Sequence, residues 1–208
     1  MAKIAVDVVL LPSEEMADKT IEANRELLKQ CADKIVLDRE RCLPHISLAM
    51  GCIDERDIAD IEKILRTIVK QSSLGQLSVI GIHTGTNSAG ERVSVIQIEK
   101  TEALQSLHEE VMRRLAPYFS YDVRADMLLS PPKASESTLA WIKSYPEKSS
   151  FEKFSPHITI GYGEINDYSF PPQGVLRTIK FAVSRLALCH LGNHCTCRKI
   201  LASAEHKS

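Results

Sequence analysis

Hydrophobic and polar positions switch along this chain between the periods of strands and helices. Residues 4–11 form an apolar run broken only by Asp7 and closed by Pro12, and a buried strand is expected over 3–11. Residues 13–31 repeat at helical spacing, with Ser13 as N-cap and Glu14 and Glu15 in the first turn. A strand over 45–52 precedes a second helix opened by Asp54 and carrying Ile58, Ile61, Ile64, Leu65 and Ile68. Strands at 76–83 and 91–98 flank a Gly-, Ser- and Asn-rich hairpin loop, and Thr101 caps a third helix over 101–117. A loop with Pro131 and Pro132 leads to a short helix over 136–145. Strands over 156–163, 178–189 and 195–203 close the chain, the last two around Gly192-Asn193. Strands and helices interleave with no long polar linker, which predicts one domain of α+β class with antiparallel strand pairs.

One internal repeat stands out: Pro44-His45-Ile46-Ser47-Leu48 returns as Pro156-His157-Ile158-Thr159-Ile160. In a strand, residues two apart share a face. His45 therefore lies beside Ser47, and His157 beside Thr159. Strict alternation continues these faces as Ala49 and Gly51 in one copy, and as Gly161 and Gly163 in the other. It turns Met50 and Tyr162 toward the core. Polar pairs followed by nearly absent side chains describe the floor of a cleft where a ligand approaches the backbone.

Two imidazoles and two hydroxyls in one cleft suit phosphate-ester chemistry. Near neutrality one histidine can accept a proton from an attacking group while the other protonates the leaving oxygen. The hydroxyls can hydrogen-bond the non-bridging phosphate oxygens.

The chain resembles the 2H phosphoesterases, which are named for two such His-x-Thr/Ser motifs, and most nearly their 2′,5′-RNA ligase-like, cyclic phosphodiesterase branch. The resemblance implies a bilobal fold of two pseudo-symmetric lobes, with antiparallel sheets lining a central cleft and helices outside. The lobes are expected at about 1–85 and 86–208, each giving one motif. It further implies activity on 2′,3′-cyclic phosphates or 2′,5′ linkages of RNA, with His45 and His157 as the acid–base pair and Ser47 and Thr159 on the phosphate. Many bacterial members carry Arg where this chain has Tyr162, a departure from the best-characterised RNA ligase subgroup.

Charge narrows the partner. Lys plus Arg number 26 against 27 Asp plus Glu, a formal net charge of −1, without the basic excess of proteins that coat nucleic acid. An RNA end, an oligonucleotide or a cyclic nucleotide is expected, and long duplex nucleic acid is not. Arg41 before the first motif and Lys153 before the second are candidates to hold further phosphates. Phe154 is a candidate to stack on a base, with core packing as the alternative. His108 reads as a histidine at the edge of the core.

The segment 189–197 concentrates Cys189, His190, His194, Cys195 and Cys197, but in none of the usual zinc spacings. A hairpin with free thiols is the expectation for it, and free thiols for all six cysteines. Neither a cofactor nor a metal is expected. With no signal-peptide pattern or membrane-length apolar run, the expected setting is the cytoplasm, away from membranes.

The expected activity is metal-independent opening of 2′,3′-cyclic phosphates at RNA ends, leaving a 2′-phosphate. Rival expectations are hydrolysis of a small cyclic phosphate of a nucleotide or ADP-ribose, and a non-catalytic module that binds nucleotides or RNA ends.

Overall fold

The apolar run that opens the chain becomes β1 (Lys3–Pro12), buried from Ile4 to Pro12 because other strands flank both its edges. The computed structural model describes residues 2–31, 34–87, 89–129, 133–165 and 179–205. The other strands are β2 (Ile46–Asp54), β3 (Leu77–Thr86), β4 (Arg92–Ile98), β5 (His157–Tyr162), β6 (Lys180–Phe181), β7 (Val183–Leu191) and β8 (Cys197–Glu205). All eight join one antiparallel sheet in the order β6-β3-β4-β5-β2-β1-β7-β8. The helices are α1 (Glu14–Leu28), α2 (Ile58–Gln71), α3 (Glu102–Leu115) and α4 (Glu136–Lys148). The proline pair at 131–132 and the end of the chain lie outside the described residues.

The sheet is two halves of four strands meeting at a single residue pair, Ile46 on β2 and Ile158 on β5. Each of these residues sits between the histidine and the hydroxyl of its motif. The halves are similarly connected, β1-α1-β2 on one side and β4-α3-α4-β5 on the other, the second with α4 added. They are not consecutive in sequence. The final strands β7 and β8 return to β1, and β6 joins β3, so no cut near residue 85 separates the halves. The expected pair of sheets is one continuous sheet.

Helix α1 packs on β5 and α3 packs on β2, so each helix braces the motif strand of the opposite half. Thr101 caps α3 by accepting a hydrogen bond from the Leu104 amide, 3.2 Å away. Ser13 occupies the N-cap position of α1 but its side chain makes no cap bond. Asp54 ends β2, and a 3-10 turn (Glu55–Asp57) intervenes before α2. Helix α4 departs from the expectation of helices outside: it contacts β2 and faces the cleft.

The cysteines need correction. Cys189 on β7 and Cys197 on β8 form a disulfide, while Cys31, Cys42, Cys52 and Cys195 are free. Their Cα atoms are 5.6 Å apart, within reach of a disulfide. In the β7–β8 ladder Cys189 lies opposite Ile200 and Cys197 opposite Leu191, with register shifts beside Cys189 and Leu191 that sequence spacing does not reveal. Cys195 and Cys197 do not share a strand, because Cys195 ends a 3-10 turn (Asn193–Cys195).

Candidate active site

His45 and His157 enter the same cleft from neighbouring strands. The cleft has a volume of about 530 Å³ and is lined by both motif pairs, His45 with Ser47 and His157 with Thr159. His45 Nδ1 donates to the Leu43 carbonyl at 2.7 Å, and His157 Nδ1 donates to the Ser155 carbonyl at 2.8 Å. A carbonyl can only accept, so each Nδ1 carries the hydrogen. Each Nε2 is therefore the nitrogen left for substrate. Burial holds both imidazoles below the usual histidine value, and the neighbouring His157 lowers His45 further.

The motif strands each carry a bulge that sequence alternation does not anticipate. Along β2, Ser47 pairs with Val9 and Ala49 with Val8, leaving Leu48 unpaired. Along β5, Thr159 pairs with Val95 and Gly161 with Ser94, leaving Ile160 unpaired. An extra residue shifts the phase of all that follows. Tyr162, expected in the core, therefore lines the cleft, and Met50 lines it too while staying buried in the core. Gly161 turns instead toward α1, where a Cβ would lie 3.0 Å from Leu27 and 3.2 Å from Asn24. Gly163, at φ +123°, is likewise against Cys31 and Leu27 rather than in the cleft. Gly51 faces Phe119.

Each bulge is pinned by a buried polar side chain from the helix across it. Asn24 on α1 donates to the Ile160 carbonyl at 2.7 Å and the Ile35 carbonyl at 3.0 Å, and accepts from the Leu37 amide at 2.9 Å. His108 on α3 donates from Nδ1 to the Leu48 carbonyl at 2.7 Å, and its Nε2 accepts from the Phe151 amide at 2.7 Å. His108 is thus fully buried and neutral, not at the edge of the core. Asn24→Ala strands three buried backbone groups, and each costs about 1–3 kcal/mol when the loss is not relieved. The expected net destabilisation is about 2–3 kcal/mol, read from the urea midpoint at unchanged slope. A loss below ~0.5 kcal/mol would show that the pin is dispensable.

The remaining candidates fare differently. Lys153 lines the cleft, where its Nζ donates to the Glu147 carbonyl at 2.7 Å. Phe154 lines the cleft but is 4% exposed, with one face of its ring stacked on His108 at 4.1 Å, so it serves core packing as well. Arg41 is exposed and does not line the cleft. Among the described residues no group of three His, Cys, Asp or Glu side chains is placed to hold a metal, the 189–197 segment included.

Several cleft residues lie outside both motifs, on elements whose sequence carries no repeat. Helix α4 presents Ser137, Trp141 and Tyr145 at four-residue spacing, and Trp141 remains 39% exposed. His194, in the 3-10 turn at φ 59°, lines the cleft with its Nδ1 3.0 Å from the Tyr162 hydroxyl. Asn193 Oδ1 accepts from the Ser135 amide and from the Thr138 hydroxyl, both at 2.8 Å, tying this turn to the start of α4. Burial pushes the Tyr162 phenol up to about 12, so it stays a neutral hydroxyl. Lys148, Lys153 and four histidines line the cleft, whereas no Asp, Glu or Arg does so among the described residues.

Residues 13–194 match the 2′-5′ RNA ligase superfamily. The chain belongs to this family. The matched span holds both motifs, both bulges and both pinning helices, and the architecture agrees with the 2H phosphoesterase fold. No curated protein matches the chain. Among the described residues, no helix is long and apolar enough to cross a membrane.

Proposed function

We propose that this family member is a phosphodiesterase that opens 2′,3′-cyclic phosphates at RNA or oligonucleotide ends, leaving a 2′-phosphate. The observation that carries this reading is the tautomer lock: both imidazoles tie Nδ1 to backbone and present Nε2 to one cleft. An unprotonated Nε2 takes the proton of an attacking water as its oxygen bonds to phosphorus. The bond from phosphorus to the 3′ oxygen breaks, and that oxygen takes a proton from the other histidine's Nε2. Ser47 and Thr159 lie beside these atoms as donors to the non-bridging oxygens. These proton transfers need no metal. A cleft without carboxylates on its surface favours an anion, and 530 Å³ is room for one small ligand rather than a strand.

That size also favours a second reading, in which a free nucleotide cyclic phosphate is the substrate and the chain beyond the end contributes nothing. Both readings are tested by incubating the protein with 2′,3′-cyclic mononucleotides, cyclic-phosphate-ended oligomers and 2′,5′-linked dinucleotides, with and without chelator. Hydrolysis to 2′-phosphates that survives chelation is the expected result. Turnover of mononucleotides alone selects the second reading, and no turnover of any substrate refutes both.

Trp141, exposed on the cleft wall, supports stacking on the base as its role. Base–aromatic stacking contributes about 1–3 kcal/mol per base. Trp141→Ala is therefore expected to raise KM for a purine cyclic phosphate by ~5–100-fold with kcat nearly unchanged. An unchanged KM in steady-state assays would assign the base elsewhere.

A further inference from the structure

Asp7 breaks the symmetry of the site. It is fully buried in β1, opposite Met50, whereas the corresponding position on β4, opposite Tyr162, is Val93. Its Oδ2 lies 2.6 Å from Ser47 Oγ and 3.9 Å from His45 Nε2. Among the described residues its Oδ1 is buried without a hydrogen-bond partner. Asp7 also precedes the span that the family match covers, so nothing in that match assigns it a role.

A serine hydroxyl has one hydrogen to give. An ionised carboxylate only accepts, so it takes that hydrogen and leaves Ser47 with nothing to donate to a phosphate. A protonated carboxyl does the reverse: it donates to Ser47 Oγ and leaves the serine hydrogen free for the substrate. We propose that Asp7 is a positioning residue which, as a neutral acid, sets Ser47 as a donor to the substrate's phosphoryl oxygen, and which on ionising withdraws that donor and places a negative charge behind it. The proposal rests on the phosphoesterase reading of the cleft.

Burial lifts the Asp7 carboxyl from 3.8 to about 8, against the smaller opposing effects of its bond to Ser47 and of the Ala49 backbone amide. The other titratable groups facing it are His45 just before β2, Tyr145 on α4 and Cys195 in the turn after β7. No Lys or Arg among the described residues perturbs it. His45 is displaced below 6.5, while burial sends the Tyr145 phenol and Cys195 thiol well up. Between about pH 7 and 9, Asp7 is therefore the group at this end of the cleft that changes charge, and a phosphate monoester is already a dianion.

The test measures binding of adenosine 2′-monophosphate by calorimetry at about pH 7 and 9 to the wild type, Asp7→Asn and Asp7→Ala, each checked for folding by circular dichroism. The wild type is expected to weaken by at least ~10-fold across this interval, the order of one charge-assisted hydrogen bond. Asn mimics the protonated acid, since its amide can donate to Ser47 at either pH. Asp7→Asn should therefore stay within ~3-fold of the wild type at about pH 7 and change less than ~3-fold by pH 9. Asp7→Ala, without a donor to Ser47, should bind ~10-fold more weakly and without pH dependence. A structural role alone would not move the pH profile. A flat wild-type profile, an alkaline loss retained in Asp7→Asn, or a folded Asp7→Asn as weak as Asp7→Ala overturns the proposal alone. A wild type that binds the probe at neither pH overturns the phosphate reading together with it.

Discussion

Replacing either His45 or His157 by alanine is expected to lower turnover of a 2′,3′-cyclic phosphate by at least ~10², because each removes one of two proton transfers worth about 10²–10⁴ apiece. The pH profile should carry a specific displacement. Productive free enzyme needs one imidazole neutral and the other charged, and two coupled groups titrate as a pair. Burial lowers both, and His157 lowers His45 further. The maximum of kcat/KM, which reports free enzyme, should thus fall on the acid side of about 6.5. A bound phosphate anion favours imidazolium, so the bell in kcat should move to higher pH than the bell in kcat/KM. Steady-state profiles of the wild type and both variants check this. Full turnover in either variant, or a kcat/KM optimum above about pH 8, would remove the histidine pair from the mechanism.

Helices and motifs were legible in the sequence because each rests on a local pattern. The apolar spacing of Ile58, Ile61, Leu65 and Ile68 is a property of α2 alone, and the two His-x-Ser/Thr repeats need only the chain to be seen. The bulges were not legible. Leu48-Ala49 and Ile160-Gly161 read as uninterrupted strand, and the evidence of an extra residue lies in the partners Val8, Val9, Ser94 and Val95 on other strands. One uncounted residue per strand reversed the faces of Met50 and Tyr162, and with them the composition of the cleft. The return of β7 and β8 to β1 was hidden for a similar reason, since strand order is decided by long-range pairing. Asp7 did leave a mark. A lone carboxylate in an otherwise apolar buried strand is costly, and such a group deserves a functional question before a structural one.

The two halves now read as near copies with a few chemical differences. Both present a histidine, a hydroxyl, a bulge and a pin from the facing helix. Only the first half places an acid behind its hydroxyl; the Thr159 hydroxyl has no protein hydrogen-bond partner among the described residues. Tyr162 and Met50 stand at matching positions five residues after each histidine, and only Tyr162 is held, by His194. Symmetry supplies the paired imidazoles, and departures from it give the two ends of a substrate different surroundings.

The same carboxyl should govern stability. Asp7 titrates at about 8 in the folded protein against 3.8 as the ordinary value, so the folded state holds the proton more tightly. Its contribution is fully present below about 3.8 and is lost as pH rises through about 8. Each unit of such a shift is worth about 1.4 kcal/mol, so the span makes folding on the order of 5 kcal/mol less favourable by about pH 8.5. That is a large part of the about 5–15 kcal/mol by which native domains are usually stable. Asp7→Asn carries no titration. Its stability relative to the wild type should therefore be lowest near pH 4 and rise by several kcal/mol toward pH 8.5. The change with pH is the informative quantity, because packing differences between Asn and Asp are the same at every pH and cancel in it. Depressed histidines such as His108 and His157 are present in both proteins and cancel as well. Urea denaturation at about pH 4.5, 6.5 and 8.5 reads the difference. A constant offset between the two proteins would show that the Asp7 carboxyl titrates normally, and would remove the physical basis for its control of Ser47.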